Sequence, residues 1–371
     1  LGLQISFAII ILKTSFGKAL FFYFNILIVK LISFADAGSD FLFTSFIPEV
    51  GYDQALINFA FRALPVIIFF SSLIAATYHL GVIQIIIKNI AKVMEKTMKT
   101  SGAETLSISA NIFVGQTEAP ILIRPYISKM TNSELMTVMV GGFSTVAGSV
   151  MALYVTWLNN IPEIAGHLLA ASVMSAPAAL MVAKIIYPET KSYQIINSNS
   201  INLKSQDNNL VDAIGRGATD GLKLAANVAA MLIAFISLVA MINFILSLLG
   251  TSMQEMLGLL FKPLAWTMGI PWADAKIVGT LMGEKIVLTE LIAFRDLSDY
   301  VSNNTISERS VIIASYALCG FANFGSIGIQ LGGIGSMAPK RKKDLSKLVF
   351  KAMLGGAIAS WLTASIVGIL I

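Results

Sequence analysis

In 371 residues only 13% are charged while 56% are hydrophobic; the mean hydropathy is +0.77 and the formal net charge +5. Soluble domains carry about 25% charged residues, so a soluble globular enzyme and a disordered chain are both excluded. A single cysteine, Cys319, rules out an intramolecular disulfide, and His79 and His167, without His-x-x-His or His-Glu-x-x-His spacing, argue against a histidine metal centre.

Six stretches hold no Asp, Glu, Lys or Arg: 63–87, 135–158, 164–183, 224–254, 310–339 and 352–371. Each reaches the roughly 20 residues needed to cross about 30 Å of hydrocarbon. A β-barrel would show alternating segments of about 10 residues instead, so the pattern predicts an all-α polytopic membrane protein. Residues 1–12 are apolar but too short to span; with Leu1 in place of Met they read as the end of a helix that begins upstream. Arg62, between Phe61 and Pro65, reads as an interfacial anchor for the first complete span. In 82–98 the cations Lys88, Lys92 and Lys96, continued by Lys99, recur every three or four residues opposite Ile83, Ile86, Ile87, Ile90 and Met94. That is the pattern of an amphipathic helix lying on the cytoplasmic surface. Residues 18–34 and 253–266 carry less clean faces of the same kind.

Two segments do not read as spans. Residues 102–127 are apolar but interrupted at Gly115 and Pro120, and 273–294, "ADAKIVGTLMGEKIVLTELIAF", are interrupted at Gly279 and Gly283 with Glu284, Lys285 and Glu290 inside. Each suits two half-helices and a turn, a re-entrant hairpin that must be buried in protein or line a wet cavity. Glu284 and Lys285 read as a local ion pair at the bend of the second. Each hairpin precedes two spans, 132–158 and 164–187, then 308–335 and 347–371; the first of each pair is Gly-rich and polar midway, "GGFSTVAGS" at 141–149 and "GFANFGSIG" at 320–328. Basic clusters at 88–99 and 340–343 favour the cytoplasm, and "NNIPEIAGH" at 159–167, without Lys or Arg, faces out. The two copies then insert with opposite polarity, and inverted repeats with paired interruptions point to a secondary transporter and to its site. The chain divides into N-terminal scaffold spans and interfacial helices (1–100), a first repeat (101–187), a Ser- and Asn-rich cytoplasmic linker with a long scaffold span and interfacial helix (188–272), and a second repeat (273–371).

An ionised residue deep in a bilayer persists where it has a partner or a wet path. Gln116, Thr117 and Glu118 offer an amide, a hydroxyl and a carboxylate, suited to the edge of a neutral heterocycle; Gly115 leaves room beside them for a tolerant pocket. Glu290 can accept from two neighbouring hydroxyls, as a sugar presents them. Asn323 and Ser326, three apart, share one helix face, with Phe321 and Phe324 beside them to contact a ring. With no Lys or Arg cluster, the set favours a neutral polar solute over a nucleotide. A helix broken near Thr145 frees carbonyls such as that of Val146, which with Asn111 and Val114 can cage a hard monovalent cation. Arg124 reads as the partner of a nearby carboxylate or of hairpin carbonyls. An intramembrane hydrolase would need a Ser/His dyad, a Gly-x-Ser-x-Gly elbow or a metal cluster; a passive channel is the harder rival, since pores also use hairpins.

"NIFVGQTEAPILIRPY" at 111–126 and "CGFANFGSIGIQLGGIGSMAPKRK" at 319–342 resemble the concentrative nucleoside transporter family, and the likeness extends through "FRALPVIIFFSSL" and "GIPWADAKIVGTLMGEKIV". The resemblance implies a homotrimer of bacterial type in the inner membrane, multi-pass and lipid-embedded, with no nucleic-acid partner and no enzymatic activity. Each protomer would hold eight spans and two hairpins, and an elevator-type movement of a transport domain against a trimerisation scaffold would import the nucleoside. By position, the nucleobase would meet Gln116, Thr117 and Glu118, the last directly or through water, and the ribose Glu290, Asn323 and Ser326 with Phe321 nearby. Sodium, the only cofactor-like species implied, would bind at Asn111, Val114, Thr145 and Val146. The family's Asn-Glu-Phe is Thr289-Glu290-Leu291 here, a frequent Ser is Gly325, and another, at the cation site, is Thr145. Threonine keeps the oxygen, and sodium is favoured over a proton carried by Glu290 or Glu118. Free nucleobases or another small neutral solute are the alternative cargo.

Overall fold

In hydrocarbon a charge-free backbone can satisfy its amides only within itself, and the chain is accordingly helical. The structure, a computed structural model, describes residues 1–44, 60–61, 64–190, 201, 203, 205 and 207–371. Arg62 and most of the 188–209 linker lie outside the described residues. α1 (Gly2–Lys13) leads into α2 (Ser15–Phe43), with the Thr14 hydroxyl accepting from the Gly17 amide at 3.0 Å. α2 runs 29 residues with a mean hydropathy of 1.7 over an 18-residue stretch, long and apolar enough to cross a membrane. A short amphipathic helix over 18–34 is therefore not what forms: Lys18 and Lys30 are too few to make a polar face, and the apolar run continues past both.

α3 (Leu64–His79) and α4 (Val82–Met98) meet at 75°. The corner is Gly81, whose φ of +84° is left-handed and suits a residue without a Cβ. α4 buries Ile83, Ile87, Ala91 and Met94 and exposes Lys92 and Lys96, as its spacing predicts, but Ile86, expected on the apolar face, is exposed. The first broken segment comprises α5 (Gly102–Asn111), a turn over 112–118, a 3-10 turn (Ala119–Ile123) and α6 (Arg124–Ile127). α7 (Asn132–Ser144) then begins with a capping box: the Thr131 hydroxyl accepts from the Glu134 amide at 3.1 Å, and Glu134 accepts from the Thr131 amide at 2.8 Å. α7 and α8 (Gly148–Trp157) form one broken span, with an 18-residue apolar stretch that is 94% buried; α9 (Ile164–Ile186) completes the first repeat.

α10 (Leu210–Ser247), 38 residues long, lies along α3 and leaves most of its apolar surface exposed. α11 (Met253–Thr267) packs along α12 (Ala275–Val287), burying Met253, Gly258 and Ala265, while Met256, Leu259, Leu260 and Trp266 stay exposed. This corrects the second hairpin. Gly279 and Gly283 do not interrupt it; they lie inside continuous α12, where a Cβ would come 2.8 Å from the Gly258 carbonyl oxygen and 2.5 Å from the Leu257 Cβ. Four residues apart, they form one smooth face on which α11 sits closely. The break falls at Leu288–Thr289, before α13 (Glu290–Ser302), whose N-cap is Thr289. α14 (Glu308–Leu318) and α15 (Phe324–Met337) are the second broken span, and a 3-10 turn (Pro339–Arg341) opens α16 (Lys342–Leu370). At the centre α7, α9, α14 and α16 pack on one another, each broken span on its own repeat's last helix and α16 across onto α7.

Candidate functional site

The two repeats are laced together crosswise. α8, from the first repeat, meets α13 of the second hairpin. There Tyr154 donates to Glu290 Oε1 at 3.2 Å, and its ring stacks on Phe294 with centroids 4.0 Å apart. α15, from the second repeat, meets the first hairpin in the same way: Gln116 Nε2 donates to Ser326 Oγ at 3.2 Å. Glu290, 2% exposed, sits at the first position of α13, where the amide dipoles favour a carboxylate. Its other oxygen, Oε2, accepts from Asn323 Nδ2 at 2.7 Å. Asn323 is at once the N-cap of α15, its Oδ1 accepting from the Ser326 amide at 2.7 Å. A polar chain thus runs Tyr154–Glu290–Asn323–Ser326–Gln116 and joins both hairpins to both broken spans.

The structure therefore brings Gln116, Glu290, Asn323 and Ser326 together from residues more than two hundred positions apart in sequence. Thr117 packs on α15: a Cβ at Gly333 would stand 2.7 Å from its Cγ2. Glu118 is exposed and folds back over its own turn to accept from the Gly115 amide, occupying the room expected beside that glycine. Phe321 is half-buried near the site, but Phe324 turns outward and stacks on Phe350 of α16, centroids 6.4 Å apart. Arg124 is exposed and has no ion-pair partner among the described residues, so its expected pairing does not form.

Asn111, Val114, Thr145 and Val146 are buried around the α7–α8 break. Asn111 Nδ2 donates to the Ser107 carbonyl at 3.2 Å, whereas its Oδ1 is buried with no hydrogen-bond partner, as is Ser107 Oγ. Val114 and Val146 lie outside helices, and the Gly148 amide at the start of α8 donates to the Phe113 carbonyl at 3.1 Å, tying hairpin tip to break. An orphaned amide oxygen beside non-helical carbonyls fits a hard, oxygen-preferring monovalent cation. Among the described residues no cluster of three His, Cys, Asp or Glu side chains suits a divalent metal.

Sequence reasoning missed Tyr154 and Gln330 and gave Lys285 the wrong partner. Tyr154 looked like one more aromatic in a span. Gln330 is fully buried, donating to the Met139 carbonyl at 3.0 Å beside Gln116; its position four after Ser326 on one helix face was the available signal. Lys285 does not pair with Glu284: its Nζ donates to the Ala317 and Cys319 carbonyls, both at 2.9 Å, while Glu284 and Asp296 interact across the α12–α13 hairpin.

Family models for the sodium-dependent nucleoside transporter N-terminus, for nucleoside recognition, and for the sodium-dependent nucleoside transporter C-terminus match residues 1–46, 60–160 and 167–368. Sodium/nucleoside cotransporter 1 of Rattus norvegicus is 41% identical over all of this chain, and the uncharacterized transporter YutK of Bacillus subtilis is 42% identical over 99% of it. The chain spans 59% of the rat protein's length and 91% of YutK's. The solved structure of CNTnw in an inward-facing substrate-bound state superposes with a TM-score of 0.90 at 40% identity, covering 99% of this chain and 89% of that one. Matched along its length by family models, relatives and fold alike, and carrying its paired hairpins and broken spans, the chain belongs to the concentrative nucleoside transporter family, whose members are transporters and not enzymes.

Proposed function

We propose that the protein imports nucleosides across the bacterial inner membrane in symport with sodium. The observation that carries this reading is the Glu290–Asn323–Ser326–Gln116 chain, a cluster of neutral-solute ligands contributed by both hairpins and by a half-helix N-terminus. Glu290 accepts from Tyr154 and Asn323, which fix its carboxylate, and its remaining lone pairs can accept from ribose hydroxyls. Gln116 Oε1 is buried and unpartnered, ready for a base N–H donor. Sodium is the co-substrate, held by Asn111 Oδ1, Thr145 Oγ1 and the carbonyls of Val114 and Val146. Its binding there would steady the hairpin 1 tip that carries Gln116 and Thr117, which is how one ligand biases the affinity for another.

The two hairpins are re-entrant in this reading, and with the broken spans they form a transport domain that moves by an elevator-type motion against a scaffold of α2, α3 and α10 in a homotrimer. One charge crossing ~100 mV is worth about 2.3 kcal/mol, more than tenfold accumulation of a neutral solute. The test is radiolabelled uridine uptake into proteoliposomes under sodium and proton gradients imposed separately. Accumulation with sodium alone supports the proposal. Accumulation with protons alone replaces the ion, equilibration without accumulation indicates a channel, and uptake of labelled uracil but not of labelled uridine indicates a nucleobase carrier.

A further inference from the structure

Two helix C-termini meet at the centre of the fold. α7 ends at Ser144 and α14 at Leu318. Between α14 and α15, Gly320 has a φ of +104°, and a Cβ there would stand 2.6 Å from the Phe143 carbonyl oxygen and 2.9 Å from that of Ser144. A helix C-terminus presents unpaired carbonyls and the equivalent of about half a negative charge. Two of them side by side in a dry interior call for positive charge on each.

Beside the α7 end stand Asn111 and the other candidate cation ligands. Beside the α14 end stands Lys285, 0% exposed. Its ammonium donates to the Ala317 and Cys319 carbonyls at 2.9 Å, and Cys319 O accepts as well from Ser360 Oγ at 2.6 Å. The two arrangements correspond. Asn111 closes the first arm of hairpin 1, Lys285 lies in the last turn of the first arm of hairpin 2, and each reaches the broken span of its own repeat.

We propose that Lys285 is a tethered cation: its ammonium occupies, in the second repeat, the place that a free cation takes in the first. It is a positioning residue, holding the α14–α15 break on which Asn323 and Ser326 are mounted. The proposal rests on the transport reading only for the occupant of the first site. Its consequence is an asymmetry between the hairpins. Hairpin 2 is fastened to its broken span by a covalently carried charge, whereas hairpin 1 is fastened by an exchangeable one, so a single break per protomer responds to the external ion.

The experiment compares Lys285→Ala, which removes the charge and leaves room, with Lys285→Met, which fills the room without charge. Thermal unfolding of the nucleoside-free protein and equilibrium uridine binding are measured in choline chloride and in methylammonium chloride at equal ionic strength, with the same saturating sodium concentration in both. Both variants should unfold at lower temperature than wild type in choline. Methylammonium should restore Lys285→Ala towards wild type, leave Lys285→Met unrestored, and leave wild type unchanged. Uridine affinity should follow, about tenfold or more weaker for Lys285→Ala in choline, as expected for loss of charge-assisted hydrogen bonds, and recovered in methylammonium. Wild-type melting and binding by Lys285→Met would overturn the proposal, since charge would then be dispensable. Failure of methylammonium to restore Lys285→Ala, or to allow its purification in folded form, would overturn it too. Failure of wild type to bind uridine bears on the transported substrate alone, because the melting pattern needs no nucleoside.

Discussion

Both oxygens of the Glu290 carboxylate are engaged, by a phenol and by an amide, and it heads a helix whose dipole favours its charge. A glutamine in its place would bring an NH2 against one of those donors and lose the charged acceptor. Glu290→Gln is therefore expected to lower uridine uptake in proteoliposomes by about tenfold or more, the scale of a charged hydrogen bond at about 1.5–3 kcal/mol, with membrane insertion unchanged. Tyr154→Phe removes one neutral donor and keeps the stack on Phe294, so it should be milder, a rise in uridine KM of about fivefold for about 1 kcal/mol. Unchanged uptake by Tyr154→Phe would show that Tyr154 acts through packing alone. Asn323→Ala loses a helix cap, worth about 0.5–2 kcal/mol, together with a partner of Glu290, and should both lower the unfolding temperature and impair uptake.

At the scale of elements, the breaks in α7–α8 and α14–α15 do the positioning. Gly320 meets two demands at once, a left-handed φ and close approach to the end of α7. Gly320→Ala should reduce the yield of folded protein and abolish uptake, since the conformation alone costs a residue with a Cβ about 1–2 kcal/mol before any clash. Arg341 is the other fastening. From the 3-10 turn before α16 it donates to the Met130 carbonyl, to Asn132 Oδ1 at 2.8 Å and to Asp344 Oδ2 at 2.8 Å. It thereby locks the exit of hairpin 1 to the start of the last helix. Its place in the tract 340–343 reads from sequence only as a topological charge. Arg341→Met should speed backbone hydrogen exchange over residues 128–132 while sparing α9, and unchanged exchange there would remove Arg341 from that role.

For the whole molecule, the central packing of α7, α9, α14 and α16 contrasts with α2 and α10, in each of which an 18-residue apolar stretch is only 17% and 11% buried, respectively. Those helices suit lipid or neighbouring copies, and the proposed trimer should appear as a trimeric mass by native mass spectrometry from nanodiscs. A monomeric mass would leave their apolar faces to lipid. The class of protein, the run of spans, the amphipathic α4 and the paired interruptions followed from amino-acid order alone, because charge-free length and cation spacing are local properties that hydrocarbon enforces. The proposed ligand residues Gln116, Glu290, Asn323 and Ser326 stood out for the same reason: polar groups in apolar runs are conspicuous. Which groups touch was beyond local pattern. Gly279 and Gly283 looked like breaks, yet they serve α11 across a helix interface, and Lys285 looked like the partner of its neighbour Glu284 when its partners are carbonyls of α14. Tertiary structure alone decided these points, because a close helix approach or a cation seated on a helix end depends on the other surface, and that surface lies far away along the chain.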